Sequence, residues 1–188
     1  MTQVATAPGY TLDDLDCLRA ELGVAHLELD PWGSLIVSPA TDSHDAAVAI
    51  LHGQALRGTG LPAKYIRTNS PAWKVPGGSG YTNVPDLAVL VPGWARVGEL
   101  HLDPSPLLVV EVGSPSTRGV DRGRKLSDYR LGRVGAYLLV DLPGEGSPPA
   151  FELHDFANDR LSTATASIDV AVGAGLVRFD LAELTATG

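Results

Sequence analysis

The sequence predicts an α/β domain, and two observations carry the prediction. Apolar runs at Leu87 to Val91, Leu107 to Val110 and Ala136 to Asp141 are short and uninterrupted, the pattern of strands covered on both faces. Segments with helical spacing, Ser43 to Leu56 and about Val120 to Leu131, are interspersed with them. At 188 residues, 44% hydrophobic and 19% charged, the chain suits one domain with one core. Residues 1–188 are therefore read as a single unit, with 1–10 flexible.

Taken in order, Thr11 is a plausible N-cap for a helix reaching Leu22, with Leu12, Leu15, Leu18 and Leu22 on one side and Gly23 as its stop. Leu27 to Asp30 and Leu35 to Ser38 flank the turn-rich Pro31 to Ser34 and predict a β-hairpin, with Glu28 in its first strand. Ser43 is the next N-cap candidate, opening a helix that stops before Gly58 and holds His44 in its first turn. Asn69 to Asn83 is rich in proline and glycine and predicts a mobile loop; its Gly77-Gly-Ser-Gly80 lacks the lysine and helix of a phosphate loop. Strands at 86–91 and 106–112, the helix, and a strand at 136–141 follow. Phe151 to His154 and Thr163 to Val170 predict a closing hairpin, and the tail from Leu176 packs back on the sheet.

Composition narrows the function classes. A single cysteine, Cys17, excludes an internal disulfide and a cysteine-rich zinc site. No apolar run is long enough to cross a bilayer, and Met1 to Pro8 lacks a basic-then-apolar leader, so a cytoplasmic location is expected. The net charge of −8 works against a nucleic-acid partner. One segment runs the other way: Arg118, Arg122, Arg124, Lys125, Arg130 and Arg133 form a basic patch, or else a solvated helix face balanced by acidic neighbours.

The chemistry-bearing residues cluster near the central strands. Glu111 breaks an apolar run, and Asp86 follows Val84-Pro85 at the start of another, so two carboxylates at neighbouring strand ends can share one divalent cation. Asp121, Lys125 and Tyr129 are four apart and share a helix face. Ser114, Ser116 and Thr117 lie between strand and helix, where they cap amides or hold a phosphate oxygen beside Arg118. A Ser114–His44–Asp86 hydrolase is disfavoured, because Gly-x-Ser-x-Gly is absent.

Together these segments resemble the Uma-two family of restriction-endonuclease-like proteins, within the PD-(D/E)XK nuclease superfamily. The resemblance rests on Glu28-Leu-x-x-x-Gly33 with Val37-Ser-Pro39, His44, Val84-Pro-Asp86, Glu111-Val-x-Ser-Pro-Ser-Thr117, Asp121-x-x-x-Lys125-x-x-x-Tyr129 and Tyr137-Leu-Leu-Val-Asp141. It implies a mixed sheet flanked by helices and a Mg²⁺- or Mn²⁺-dependent endonuclease acting on nucleic acid, with DNA expected. It implies Asp86, Glu111 and the Val112 carbonyl as metal ligands, and Lys125 and His44 as catalytic partners. Arg118, Arg122, Ser116, Thr117 and Tyr129 fall on the substrate side. At Gly113, where the superfamily's Glu-x-Lys motif places its lysine, the chain departs; Lys125 on the next helix takes that place. The alternative is an inactive nucleic-acid-binding or protein-interaction module that keeps the fold. A homodimer would suit an enzyme that cuts two strands, though no stretch marks an interface.

Overall fold

The central strands form because both of their faces are covered. In β7 (Leu108–Gly113), Leu108, Val110 and Val112 enter one core while Val109 enters another. Strand β8 (Ala136–Asp141) divides the same way, with Leu138 and Val140 on the first side and Tyr137 and Leu139 on the second. The computed structural model describes residues 9–22, 27–37, 41–68, 73–74, 82–94, 105–113, 117–142 and 148–185.

The chain opens with α1 (Leu12–Leu22) and the hairpin β1 (Leu27–Leu29) and β2 (Leu35–Val37), followed by α2 (Asp42–Thr59) and β3 (Ile66–Thr68). Next come β4 (Trp73–Lys74), β5 (Thr82–Asn83), β6 (Leu87–Val89) and β7. Helix α3 (Arg118–Val120) continues through a π-helical turn (Asp121–Lys125) into α4 (Leu126–Leu131), and β8 follows. Strands β9 (Ala150–Asp155), β10 (Arg160–Ala164), β11 (Ser167–Val172) and β12 (Gly175–Asp180) then lead to α5 (Leu181–Thr185).

Six strands form the main sheet in the order β10-β9-β8-β7-β6-β3. Among the described residues only β7 and β8 run parallel, and parallel neighbours need a crossover, which the α3–α4 segment supplies. The sheet is therefore mixed, with helices against it, as expected. One face packs against α2 and the β11–β12 hairpin through Val48, Leu51, Val170 and Phe179. The other receives Tyr129 of α4 and Trp73 of β4. A smaller sheet, β2-β1-β5-β4, holds Leu27 and Leu29 against Leu15 of α1. No helix among the described residues is long and apolar enough to cross a membrane.

Several local expectations change. The Thr11 hydroxyl accepts the Asp14 amide at 3.3 Å and the Asp14 carboxylate accepts the Thr11 amide at 2.8 Å, a reciprocal cap that starts α1 as predicted. Helix α2 is capped by Thr41 rather than Ser43: Thr41 is extended and its hydroxyl accepts the His44 amide at 3.3 Å. The expected loop at 69–83 contains β4 and β5, because Trp73 finds a buried place against Tyr129. Strand β9 pairs with β10, whereas β11 pairs with the tail strand β12. Two turns decide this. Asp155 accepts the Asn158 amide at 3.1 Å and Asp159 adopts φ 47°, closing the first; Gly173 at φ 61° closes the second.

Candidate active site

The site begins with strand register. Leu87 pairs with Val110 and Ala88 with Val109 across β6 and β7, so carrying the register one residue further sets Asp86 opposite Glu111. Alternation puts both on the α4-facing side, away from Leu87 and Val110. Pro85 follows opposite Val112 and has no N–H to donate. The Val112 amide is bound by a side chain instead, with Asp86 Oδ2 accepting it at 2.7 Å. Two buried like charges directly across a strand pair repel, which a fold tolerates only with compensating cations.

The α3–α4 crossover delivers one. Lys125 sits at the end of the π turn, an irregularity often found at functional positions, and its side chain is only 10% exposed. Its Nζ lies 3.1 Å from Glu111 Oε1, 2.9 Å from Glu28 Oε1 and 3.9 Å from Asp121 Oδ1. Glu28 arrives from β1, where its neighbours Leu27 and Leu29 point to the opposite cluster, and its Oε1 also accepts the Val84 amide at 2.9 Å. Arg124 adds a second cation, 3.5 Å from Glu28 Oε2, with Asn83 Oδ1 accepting from it at 2.6 Å. Glu111 Oε1 further accepts the Tyr129 hydroxyl at 2.6 Å.

Electrostatically the cluster is a surplus of anions. Asp86, Glu111, Asp121 and Glu28 are all buried, against the cations Lys125 and Arg124. Burial pushes the Glu111 carboxyl well above its ordinary range; Lys125 opposes this, and Asp86, Glu28 and Asp121 add to it. Asp121 is raised by burial too. Burial works to neutralise Lys125, yet Glu111, Glu28 and Asp121 outweigh it and hold the ammonium above its ordinary value. Tyr129 is raised by burial and then by Glu111, so it stays a protonated donor.

Among the described site residues, Asp86, Glu111, Lys125 and the Val112 main chain come together. His44 joins them from the first turn of α2, with Nε2 3.3 Å from Asp86 Oδ2, a contact that raises its pKa against partial burial. Tyr129 also joins, but fully buried, so it supports Glu111 from behind and offers no surface to a substrate. The Thr117 hydroxyl bonds the Asp121 carboxylate and does not cap the helix amides. Ser114 and Ser116 lie outside the described residues. Arg118 and Arg122 stand to one side on Asp141, at 3.2 and 2.8 Å, and Arg122 also reaches Glu152 at 2.8 Å. Much of the basic patch is thus balanced by acidic neighbours. Glu28, which heads the hairpin motif that carries the resemblance, also enters the site, and Arg124 joins it with no signal beyond its place in the arginine run.

Gly113 continues β7 with no positive φ. A Cβ built there would lie 3.3 Å from Asp141 Oδ1 and 3.6 Å from Asp121 Oδ2. A side chain at this position would thus start out between two carboxylates, the nearer in tight contact.

A mixed sheet with opposed carboxylates at one strand pair and a crossover helix bearing lysine defines a protein of the restriction-endonuclease-like fold class. The chain belongs to the Uma2 family, described as "putative restriction endonuclease", whose sequence profile matches residues 13–155. A crystal structure from Anabaena variabilis ATCC 29413, described as "a putative nuclease belonging to DUF820", aligns with a TM-score of 0.56. The alignment covers 84% of this chain and 88% of that one at 14% identity, a likeness of fold. No curated protein matches the chain.

Proposed function

We propose that this protein is a metal-dependent endonuclease that hydrolyses phosphodiester bonds, with DNA as its substrate. One observation carries the reading: Asp86 and Glu111 are buried opposite each other in register, with the Lys125 ammonium 3.1 Å from Glu111. Family membership supports the same reaction class. The single exposed cysteine, Cys17, suits a reducing cytoplasm.

The donor set fits a hard divalent cation. Its oxygens outnumber the buried cations, and burial, reinforced by the neighbouring carboxylates, drives the Glu111 carboxyl toward protonation. No group of three or more His, Cys, Asp or Glu side chains among the described residues is placed to hold a metal ion. Mg²⁺ is commonly held by one or two carboxylates and water, so Asp86, Glu111 and the Val112 carbonyl suffice in kind. When bound, such an ion lowers the pKa of a coordinated water and offsets charge on a phosphate.

The chain's own residues supply the rest. Glu111 accepts from Lys125 and Tyr129 through the same oxygen, Oε1, and Oε2 accepts no hydrogen bond among the described residues. The carboxylate is thus fixed through one oxygen. Lys125 keeps its proton and places a positive charge beside the reacting centre, the kind of preorganised stabilisation that mutation series value at about 10²-fold or more. His44 orients Asp86 and holds a proton within reach of the site.

The test is cleavage of plasmid and oligonucleotide DNA with Mg²⁺ or Mn²⁺. Asp86→Asn and Glu111→Gln, which keep volume and remove the anion, are expected to abolish metal-dependent cutting while the protein stays folded. Cutting by either variant at the parental rate would place the chemistry elsewhere.

A further inference from the structure

The tip of the β1–β2 hairpin holds an aromatic side chain that the site described above does not use. Trp32 is 81% exposed, whereas Trp73 is buried in the core. The tip is rigid. Asp30 Oδ1 accepts the amides of Trp32 at 2.9 Å and Ser34 at 2.7 Å, and the Asp30 carbonyl accepts the Gly33 amide at 3.1 Å. Gly33 takes φ +80°, and a Cβ on it would meet Gly9 Cα at 2.8 Å. Tyr10 crosses the tip, donating its amide to the Gly33 carbonyl at 2.8 Å, and is itself 52% exposed. A clamped turn thus presents an indole to solvent at no evident packing gain.

The same hairpin carries Glu28 to Lys125. Leu29, Asp30 and Pro31 separate Glu28 from Trp32, so even a fully extended chain would set the two at most roughly 13 Å apart. Trp32 therefore stands within that distance of a backbone position that carries a site residue.

Charge says what an indole there would add. The chain carries −8, Arg118 and Arg122 are engaged by Asp141 and Glu152, and Arg124 by Glu28 and Asp128. Counterion release is therefore a weak source of affinity for a polyanion. Stacking of a base on an aromatic ring needs no positive charge and tolerates any sequence. We propose that Trp32 is a nucleobase-stacking platform that grips the substrate outside the cleavage site, an inference that rests on the nuclease reading above.

The test uses the full-length protein and a labelled single-stranded oligodeoxynucleotide in EDTA, so that binding is read without cleavage. Parent, Trp32→Phe and Trp32→Ala proteins are compared by anisotropy and by tryptophan quenching. We expect Trp32→Ala to bind on the order of tenfold more weakly and Trp32→Phe to retain most of the affinity. The slope of log affinity against log salt should be unchanged, since no cation is lost. Equal binding by Trp32→Ala, or an equal loss in Trp32→Phe, overturns the platform while leaving a DNA-cutting enzyme intact. A parent protein that neither binds nor cuts DNA overturns both readings.

Discussion

Removing Lys125 tests the electrostatic account of the site most directly. Its Nζ lies within 4 Å of Glu28, Glu111 and Asp121, and its side chain is 10% exposed, so Lys125→Ala strands three buried carboxylates. Breaking a buried ion pair from one side costs about 3–5 kcal/mol. For a domain of this length each kcal/mol moves Tm by about 2–4 °C, so a fall of about 6–20 °C is expected in metal-free buffer. The pH dependence follows from the shifts. Lys125, held above its ordinary value, contributes in full below about pH 10. In the variant, Glu111 and Asp121, both raised by burial, bind protons more tightly folded than unfolded. Its stability therefore rises as pH falls through their folded values toward the ordinary carboxylate range near 4, and the Tm deficit narrows from pH 8 to pH 5. Calorimetry at several pH values, with and without Mn²⁺, measures this; single-turnover cleavage below the variant's Tm should fall about 10²-fold or more. A deficit under about 2 °C at pH 8 would refute Lys125 as the buried counter-charge, and parental cleavage would refute its catalytic role.

Gly113→Lys in the Lys125→Ala background is expected to recover part of the lost cleavage. The backbone there is extended, and the new side chain leaves between Asp141 and Asp121, where an ammonium finds partners after a few tenths of an ångström of adjustment. No recovery in a double variant that regains thermal stability would show that a cation on the strand cannot replace one on the helix. Asp141→Asn should release Arg118, leaving Arg122 on Glu152, and so tighten oligonucleotide binding at low salt while steepening the salt slope by about one phosphate contact. An unchanged slope would move the phosphate contacts off this helix.

Short-range pattern determined a good deal here. Uninterrupted apolar runs marked β7 and β8 as doubly covered, and the charges that broke or opened them, Glu111 and Asp86, are the carboxylates that meet across β6 and β7. Fourfold spacing put Asp121, Lys125 and Tyr129 on the inward face, which the π turn preserves. What sequence spacing could not determine was which distant segment supplies each partner. Tyr129 points inward to Glu111, so its fit beside Trp73 and Tyr137 outranked any contact with a substrate. Arg118 and Arg122 read equally as a basic patch or as a helix face balanced by acidic neighbours, and β8 and β9 decide for the second by bringing Asp141 and Glu152 beside them. Glu28, nearly a hundred positions from Lys125, enters only because the small sheet packs where α3 and α4 cross over. Periodicity is local and can be read along a chain, whereas a buried charge is satisfied by whichever strand or helix the tertiary packing sets within a few ångströms of it.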